Sequence, residues 1–237
     1  MKKKIKRLAL IPARLGSKRI KKKNIKLFCG NPMISFPITE LKKSKIFDKV
    51  FVSTEDNLVK KISEKFGASV DFLRNKKLAK DNTPLNLVIE NVVHEFEKRG
   101  QVFEEIWMVY ACNPLLKAKD IISANKAFQK TKKLYPMMSM KEFEVPIEWA
   151  FEKKKDFFKS IDHKNLFKDS KKIKKKYYEC ASFIIYHKKH LANHKNYFNF
   201  YGYLMNNAHA IDIDNLNDWQ HALKLYKIQN TKYKIKN

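Results

Sequence analysis

Through the first half of the chain, short apolar runs alternate with stretches in which apolar residues recur every third or fourth position. RLALIP (7–12) is a short apolar run of strand length ended by a proline, the pattern of a buried strand. KVFVST (49–54), SVDFLR (69–74) and EIWMVY (105–110) also read as strands. Between them, PMISFPITELKKS (32–44), DNLVKKISEKFG (56–67), NTPLNLVIENVVHEFEKRG (82–100) and KDIISANKAFQKTKK (119–133) carry helical spacing. Asn82 or Thr83 with Pro84 supplies a start signal, and Gly67 and Gly100 supply stop signals. Strands alternating with helices predict an α/β fold of Rossmann-like, doubly wound type, with a mostly parallel sheet and right-handed crossovers.

The rhythm changes after residue 134. MMSMKEF, IEWAFEK and CASFIIYHK read as strands joined by lysine-rich loops, a small antiparallel extension over about 134–207. AHAIDID (208–214) then returns as a strand, and NLNDWQHALKLYKIQ (215–229) closes the chain as an amphipathic helix. A chain of 237 residues with this organisation is one domain with an inserted extension.

Charge changes the picture next. Fifty-one lysines and arginines against twenty-four acids give a formal net charge of +27, which favours anionic partners. Much of that charge lies in lysine runs, which usually form solvated faces. A nucleic-acid-binding protein without catalysis is the rival reading from another class. It calls for cations along one groove interleaved with aromatics, whereas here the aromatics sit inside apolar runs. Three distant cysteines without a CxxC spacing argue against a disulfide framework or a zinc site, and fit a reducing compartment. Pro12 and Arg14 interrupt the first apolar run before it reaches the length of a leader, and no segment approaches the ~20 apolar residues of a membrane span. The expectation is a cytoplasmic protein with no membrane and no nucleic-acid partner.

Two stretches carry chemistry. IPARLGSKRIKKKNIK (11–26) leaves the first strand at its carboxyl end, where sheets of this kind bind ligands. Gly16 and Ser17 allow a tight turn whose N–H groups face an anion, and the neighbouring arginines and lysines add charge. It matches neither GxxxxGK[ST] nor GxGxxG. In IDID (211–214), a strand would project Asp212 and Asp214 on one face and send Ile211 and Ile213 to the core. Adjacent carboxylates repel unless a cation lies between them, and Mg²⁺, with Mn²⁺ as a substitute, meets that need beside substrate phosphates. The plainer alternatives are a basic surface loop and a helix cap. His187, His190 and His194 have a ligand-like spacing, but the lysines among them oppose a cation, and His94-Glu95 lacks the second histidine of HExxH.

IPARLGSKRIKKKNIKLFCGNPMI resembles the first motif of the acylneuraminate cytidylyltransferase family, enzymes that activate nine-carbon sialic-type sugars with CTP. SKIFDKVFVSTEDNLVKKISEKFGASVDFLR, LAKDNT, YACNPLL and AIDIDNLNDWQHA extend the resemblance over most of the chain. VYACNPLLKAKDI, VPIEWAF and YYECASFIIY are most similar to the CMP-pseudaminic acid branch, while Asn24 stands where the 3-deoxy-manno-octulosonate enzymes usually carry proline. The resemblance implies that Arg14, Ser17, Lys18, Lys23 and Asn24 surround CTP, with Arg14 and Lys18 on the triphosphate and Lys23 facing the reacting phosphate. It makes Asp212 and Asp214 the metal ligands, and Lys23, Arg14 and Asp214 the catalytic set. Arg74, Asp81 and Tyr110 fall on the nucleotide side, and Tyr177, Tyr178 and Glu179 are the candidates for the sugar. The implied reaction joins CTP to a nonulosonic acid, pseudaminic or else legionaminic or N-acetylneuraminic acid, with release of pyrophosphate. A homodimer paired through the extension is implied as well. The chain departs from the pattern at Pro84-Leu85, where relatives have small hydroxyl residues. It departs again at Asp169-Ser170-Lys171-Lys172, where the pseudaminic branch often shows an arginine-rich motif.

Overall fold

A computed structural model describes residues 5–191 and 198–234. In chain order the strands are β1 Arg7–Pro12, β2 Leu27–Phe28, β3 Asn31–Pro32, β4 Lys49–Ser53, β5 Glu105–Val109, β6 Met137–Glu142, β7 Phe151–Lys153, β8 Phe158–Ser160, β9 Tyr177–His187 and β10 Tyr201–Leu204. The helices are α1 Ser35–Ser44, α2 Asn57–Lys65, α3 Leu85–Lys98, α4 Ala118–Lys130, α5 Lys188–Leu191 and α6 Leu216–Lys234. Six strands form the central sheet in the order β10-β6-β9-β5-β1-β4. Pairs β1/β4, β1/β5 and β6/β10 are parallel, and β9 runs antiparallel between β5 and β6.

The continuous apolar runs are explained by burial on both faces. Ala9, Ile11, Val50, Val52, Trp107 and Val109 point to one face, against Ile38 and Leu41 of α1 and Ile121, Ala124 and Phe128 of α4. Leu8, Leu10, Phe51, Ile106 and Met108 point to the other, against Ile89, Val92 and Phe96 of α3. Successive side chains of a strand face opposite ways, so only an all-apolar strand suits a sheet with helices on both sides. A third cluster joins Ile20, Phe28 and Met33 to Ile213, Trp219 and Ala222, tying the loop after β1 to the start of α6.

Two expected strands do not form. SVDFLR contributes only a parallel bridge between Ser69 and Phe51. Beyond it Asp71 is drawn to Lys49, Phe72 turns under Phe51, and Arg74 is buried against Ser53, so the ladder stops after one step. AHAIDID is irregular from end to end. Side chains take the place of a neighbouring strand: Gln229 donates to the Ala208 carbonyl, Lys141 to that of Ala210, and Lys23 to that of Ile213. The helix expected from Asn82 begins at Leu85 with Pro84 at its cap position and no side-chain cap.

Of the stretch 134–207, β6, β9 and β10 belong to the central sheet itself. The β7/β8 hairpin, in the segment between β6 and β9, forms a separate two-stranded sheet. Among the described residues no helix is long and apolar enough to cross a membrane.

Candidate functional site

The chain passes from β1 to β4 on one side and later to β5 on the other, so the crevice between the carboxyl ends of β1 and β5 is the topological switch point. A cavity of ≈ 350 Å³ opens there. Pro12, Arg14 and Ser17 enter it from the β1 exit, Tyr110, Ala111 and Cys112 from the β5 exit, and Asp212 and Asp214 from the segment before α6. Lys23, Asn24, Arg74 and Asp81 add to the polar lining, as do Lys80 and Thr83. Residues nearly two hundred positions apart in sequence thus share one cleft.

The loop after β1 is held from below. Ala13 donates to the Ser53 carbonyl at 2.9 Å, and Leu15 N donates to Glu55 Oε1 at 2.9 Å. Asn24, nine-tenths buried, spends both ends of its amide: Nδ2 donates to the Arg14 carbonyl at 2.8 Å, and Oδ1 accepts from the Cys112 thiol at 3.1 Å. Its first duty is therefore to shape the loop. Burial pushes the Cys112 thiol up to about 12, so it is an inert wall. Arg74 is also buried, donating from Nε to Ser53 Oγ at 3.0 Å and to the Ser53 carbonyl. Burial pulls its guanidinium down to about 10, with Glu55 opposing the shift and Arg14 reinforcing it.

Cations and carboxylates in the cleft are paired with one another. Asp81 bonds Arg14 and lies 2.5 Å from Lys18, which stands at the rim and does not line the cavity. Its hydrogen bonds to Lys18 and then Arg14 hold the carboxyl below the usual range. Asp214 takes a bidentate bond from Arg19, at 2.7 and 2.9 Å, and lies 3.5 Å from Lys23. Asp212 is pushed the other way: burial first, then the charge of Asp214, raise its carboxyl, with Lys23 opposing.

The cap of α6 is built by other residues. Asn215 Oδ1 accepts from the amides of Asn217 and Asp218, and Asp218 Oδ2 accepts from those of Asp214 and Asn215. This reciprocal box leaves the side chains of Asp212 and Asp214 free of the capping duty that the sequence also allowed. Ile213 is fully buried between them.

A second cavity of ≈ 780 Å³ adjoins the first, and Asp212 lines both. Its walls include Lys141 from β6, Tyr178 and Glu179 from β9, Asn207, and His221 from α6. Tyr177 lines neither cavity; it pairs with Glu142 and is exposed.

Arg19 as partner of Asp214, and Lys141 and His221 in the second cavity, were not singled out from sequence. Arg19 lies inside the basic motif, where its neighbours masked it. Lys141 is one lysine among many, without any local signal. His190 bonds the Lys133 carbonyl at 2.9 Å and accepts from His187 N, a structural pairing, and His194 lies outside the described residues. Trp107 is fully buried and His94 is a surface residue of α3.

Comparison with known proteins places the chain among cytidylyltransferases. The cytidylyltransferase family pattern matches residues 8–234. The pseudaminic acid cytidylyltransferase of Campylobacter jejuni (strain NCTC 11168) is 30% identical over 94% of this chain and 97% of its own length. The N-acylneuraminate cytidylyltransferase of Escherichia coli O18:K1:H7 is 26% identical over 94% of this chain and 52% of its own. Among solved structures, a CMP:2-keto-3-deoxy-manno-octonic acid synthetase complexed with CTP superposes with a TM-score of 0.72 at 14% identity. The match covers 94% of this chain and 99% of that one.

Proposed function

The chain belongs to the cytidylyltransferase family, and from that premise we propose that it transfers the cytidylyl group of CTP to a nonulosonic acid, pseudaminic acid first among them, with release of pyrophosphate. One observation carries this reading: a cation-rich nucleotide cleft at the switch point shares Asp212 with a second, larger cavity suited to an acceptor sugar. The name of the Campylobacter jejuni relative supports the choice of sugar. A synthase named for N,N'-diacetyllegionaminic acid from Legionella pneumophila, 31% identical over 48% of this chain, keeps that acid as an alternative.

In this reading Arg14 and Lys18 exchange Asp81 for the triphosphate, an anion with more charge and more acceptor oxygens. Lys23, partly buried and tied to the Ile213 carbonyl, stands beside both aspartates and neutralises charge developing at the α-phosphate. Arg74 and Tyr110 line the nucleotide wall. Tyr178 and Glu179 line the acceptor cavity, and Tyr177 stays outside it.

The aspartates fit a divalent cation. Asp212 is destabilised as an anion by burial and by Asp214, the imbalance that a hard cation relieves, and the donors are carboxylate oxygens. Bound there, Mg²⁺ supplies charge neutralisation of the phosphates.

Pyrophosphate release is the test, with CTP, Mg²⁺ and each of pseudaminic, legionaminic and N-acetylneuraminic acid offered separately. Release with pseudaminic acid alone supports the reading. Release with another of the three keeps the reaction and replaces the sugar. CTP binding without release on any of them rejects the acceptor class.

A further inference from the structure

The proposed transfer leaves one proton without a destination. As the anomeric oxygen of the sugar bonds to the α-phosphorus, the bond from that phosphorus to the pyrophosphate oxygen breaks, and the hydroxyl hydrogen departs as a proton. The group that takes it must stand where the acceptor cavity meets the nucleotide cavity. Asp212 is at that junction but serves as a metal ligand in this reading. Asp214 is bonded by Arg19 and neighboured by Lys23, and Asp218 receives two backbone amides. Burial first, and then the neighbouring Glu179 carboxylate, hold the Tyr110 hydroxyl far above its ordinary range. Glu179 lines the acceptor cavity together with Asp212, the residue that both cavities share, and its carboxylate acts on Tyr110 in the wall of the nucleotide cavity. A carboxylate has about four lone-pair sites, so the bond from Tyr110 leaves capacity for a substrate hydroxyl.

The backbone aims it there. Strand β9 pairs with β6 in one register at Tyr177 to Glu179 and in another from Ile184 onward, so Ser139 alone faces Cys180 to Phe183. The bulge holds Ala181 at φ +50°, left-handed backbone in a residue that has a Cβ. Ser139 Oγ, fully buried, accepts from the amides of Ser182 at 3.2 Å and Phe183 at 3.0 Å, which the lost ladder would otherwise strand. Ala181 thereby lines the nucleotide cavity while Glu179, two residues earlier, lines the acceptor cavity. Left-handed strain of this sort persists where the surrounding structure enforces it, and it concentrates at functional sites.

We propose that Glu179 is the proton acceptor of the reaction, its carboxylate taking the hydrogen of the attacking anomeric hydroxyl while Tyr110 fixes its orientation. The inference rests on the cytidylyl-transfer reading. The proton passes afterwards from Glu179 to solvent, so the carboxylate is regenerated each turnover. His221 also lines the acceptor cavity, and it serves as the comparison.

Steady-state pyrophosphate release with CTP and the accepted sugar tests the assignment in Glu179→Gln, Glu179→Asp and His221→Gln. Positioned proton transfer contributes about 10²–10⁴-fold, so Glu179→Gln is expected to lose that factor in kcat, with KM for both substrates within about threefold. Glu179→Asp should recover part of the loss, and His221→Gln should lose less kcat than Glu179→Gln does. A Glu179→Gln enzyme with near-normal kcat overturns the proposal. So does one whose defect is confined to the KM of the sugar, which makes Glu179 a binding residue, or a kcat loss found at His221 instead. A folded wild type that binds CTP but transfers to no nonulosonic acid overturns the functional reading, and this role with it.

Discussion

At the residue scale, the cleft is a set of charges balanced for exchange. Lys23 is fixed by the Ile213 carbonyl beside Asp214, so in the proposed transfer its charge is pre-oriented and need not be reorganised. Lys23→Ala is expected to lower kcat by about 10²–10³-fold with a smaller change in the sugar KM. A change in that KM alone contradicts the role. Asp214→Ala is expected to abolish turnover while the circular-dichroism spectrum and melting behaviour stay near wild type, because Asn215 and Asp218 cap α6 without it. Full activity with unchanged metal demand rejects the metal site. Far from the cleft, Glu105 is fully buried between Arg7 and Lys133, each at 2.7 Å, and also accepts from Gln129. Burial alone would raise its carboxyl, but these partners outweigh it and the pKa is lowered. A lowered carboxylate pKa contributes stability above the unfolded value near 4.3, and that contribution is lost as pH falls through the folded value. Glu105→Gln should therefore cost about 1–3 kcal/mol at pH 7 and flatten the acid side of the stability profile in urea titrations. An unchanged acid limb contradicts this.

At the element scale, the bulge in β9 is the feature with a measurable backbone cost. Left-handed backbone disfavours a residue with a Cβ by about 1–2 kcal/mol, while glycine in a strand costs about 0.5–1 kcal/mol in entropy. Ala181→Gly is thus expected to be neutral or stabilising by up to about 1 kcal/mol, and Ala181→Val destabilising by about 1–3 kcal/mol. Ser139→Ala should cost a comparable amount by stranding two buried amides. Urea midpoints of the three variants decide it, and equal stability of the glycine and valine variants would remove the strain from the account. The segment carrying the aspartates follows a similar logic, being held by side chains instead of a ladder. His209, which lies 2.9 Å from Asp120 of α4, is part of that anchorage.

At the scale of the whole molecule, the segment between β6 and β9 leaves large apolar side chains in water: Phe143, Val145, Phe157, Phe158, Ile161 and, at 95% exposure, Phe167. Soluble proteins seldom leave apolar groups this dense in one segment without a use. A second copy of the chain is the expected cover. Sedimentation should therefore report a dimer. Phe158→Glu with Phe167→Glu should shift it toward monomer and weaken transfer to the sugar more than CTP binding. A wild-type monomer at full activity overturns this arrangement.

Much of this protein was legible in one dimension. All-apolar runs announce strands covered on both faces, and periodic runs announce their helices, because both patterns follow from burial of local segments. The basic loop after β1 and the Asp212/Asp214 pair were equally visible, since the residue types that handle phosphate and metal were adjacent in sequence. Other features depend on what the chain meets after folding. SVDFLR and AHAIDID have strand-like patterns but too little neighbouring backbone to pair with, and side chains from Gln229, Lys141 and Lys23 complete the latter. Arg19 on Asp214, Glu179 beside Tyr110, and a second cavity meeting the first at Asp212 arise from contacts across long sequence separations. Local pattern determined the elements and the charged motifs of this protein. Tertiary packing alone decided which of those charges face one another, because hydrogen bonds and ion pairs form by distance in space, which sequence separation does not encode.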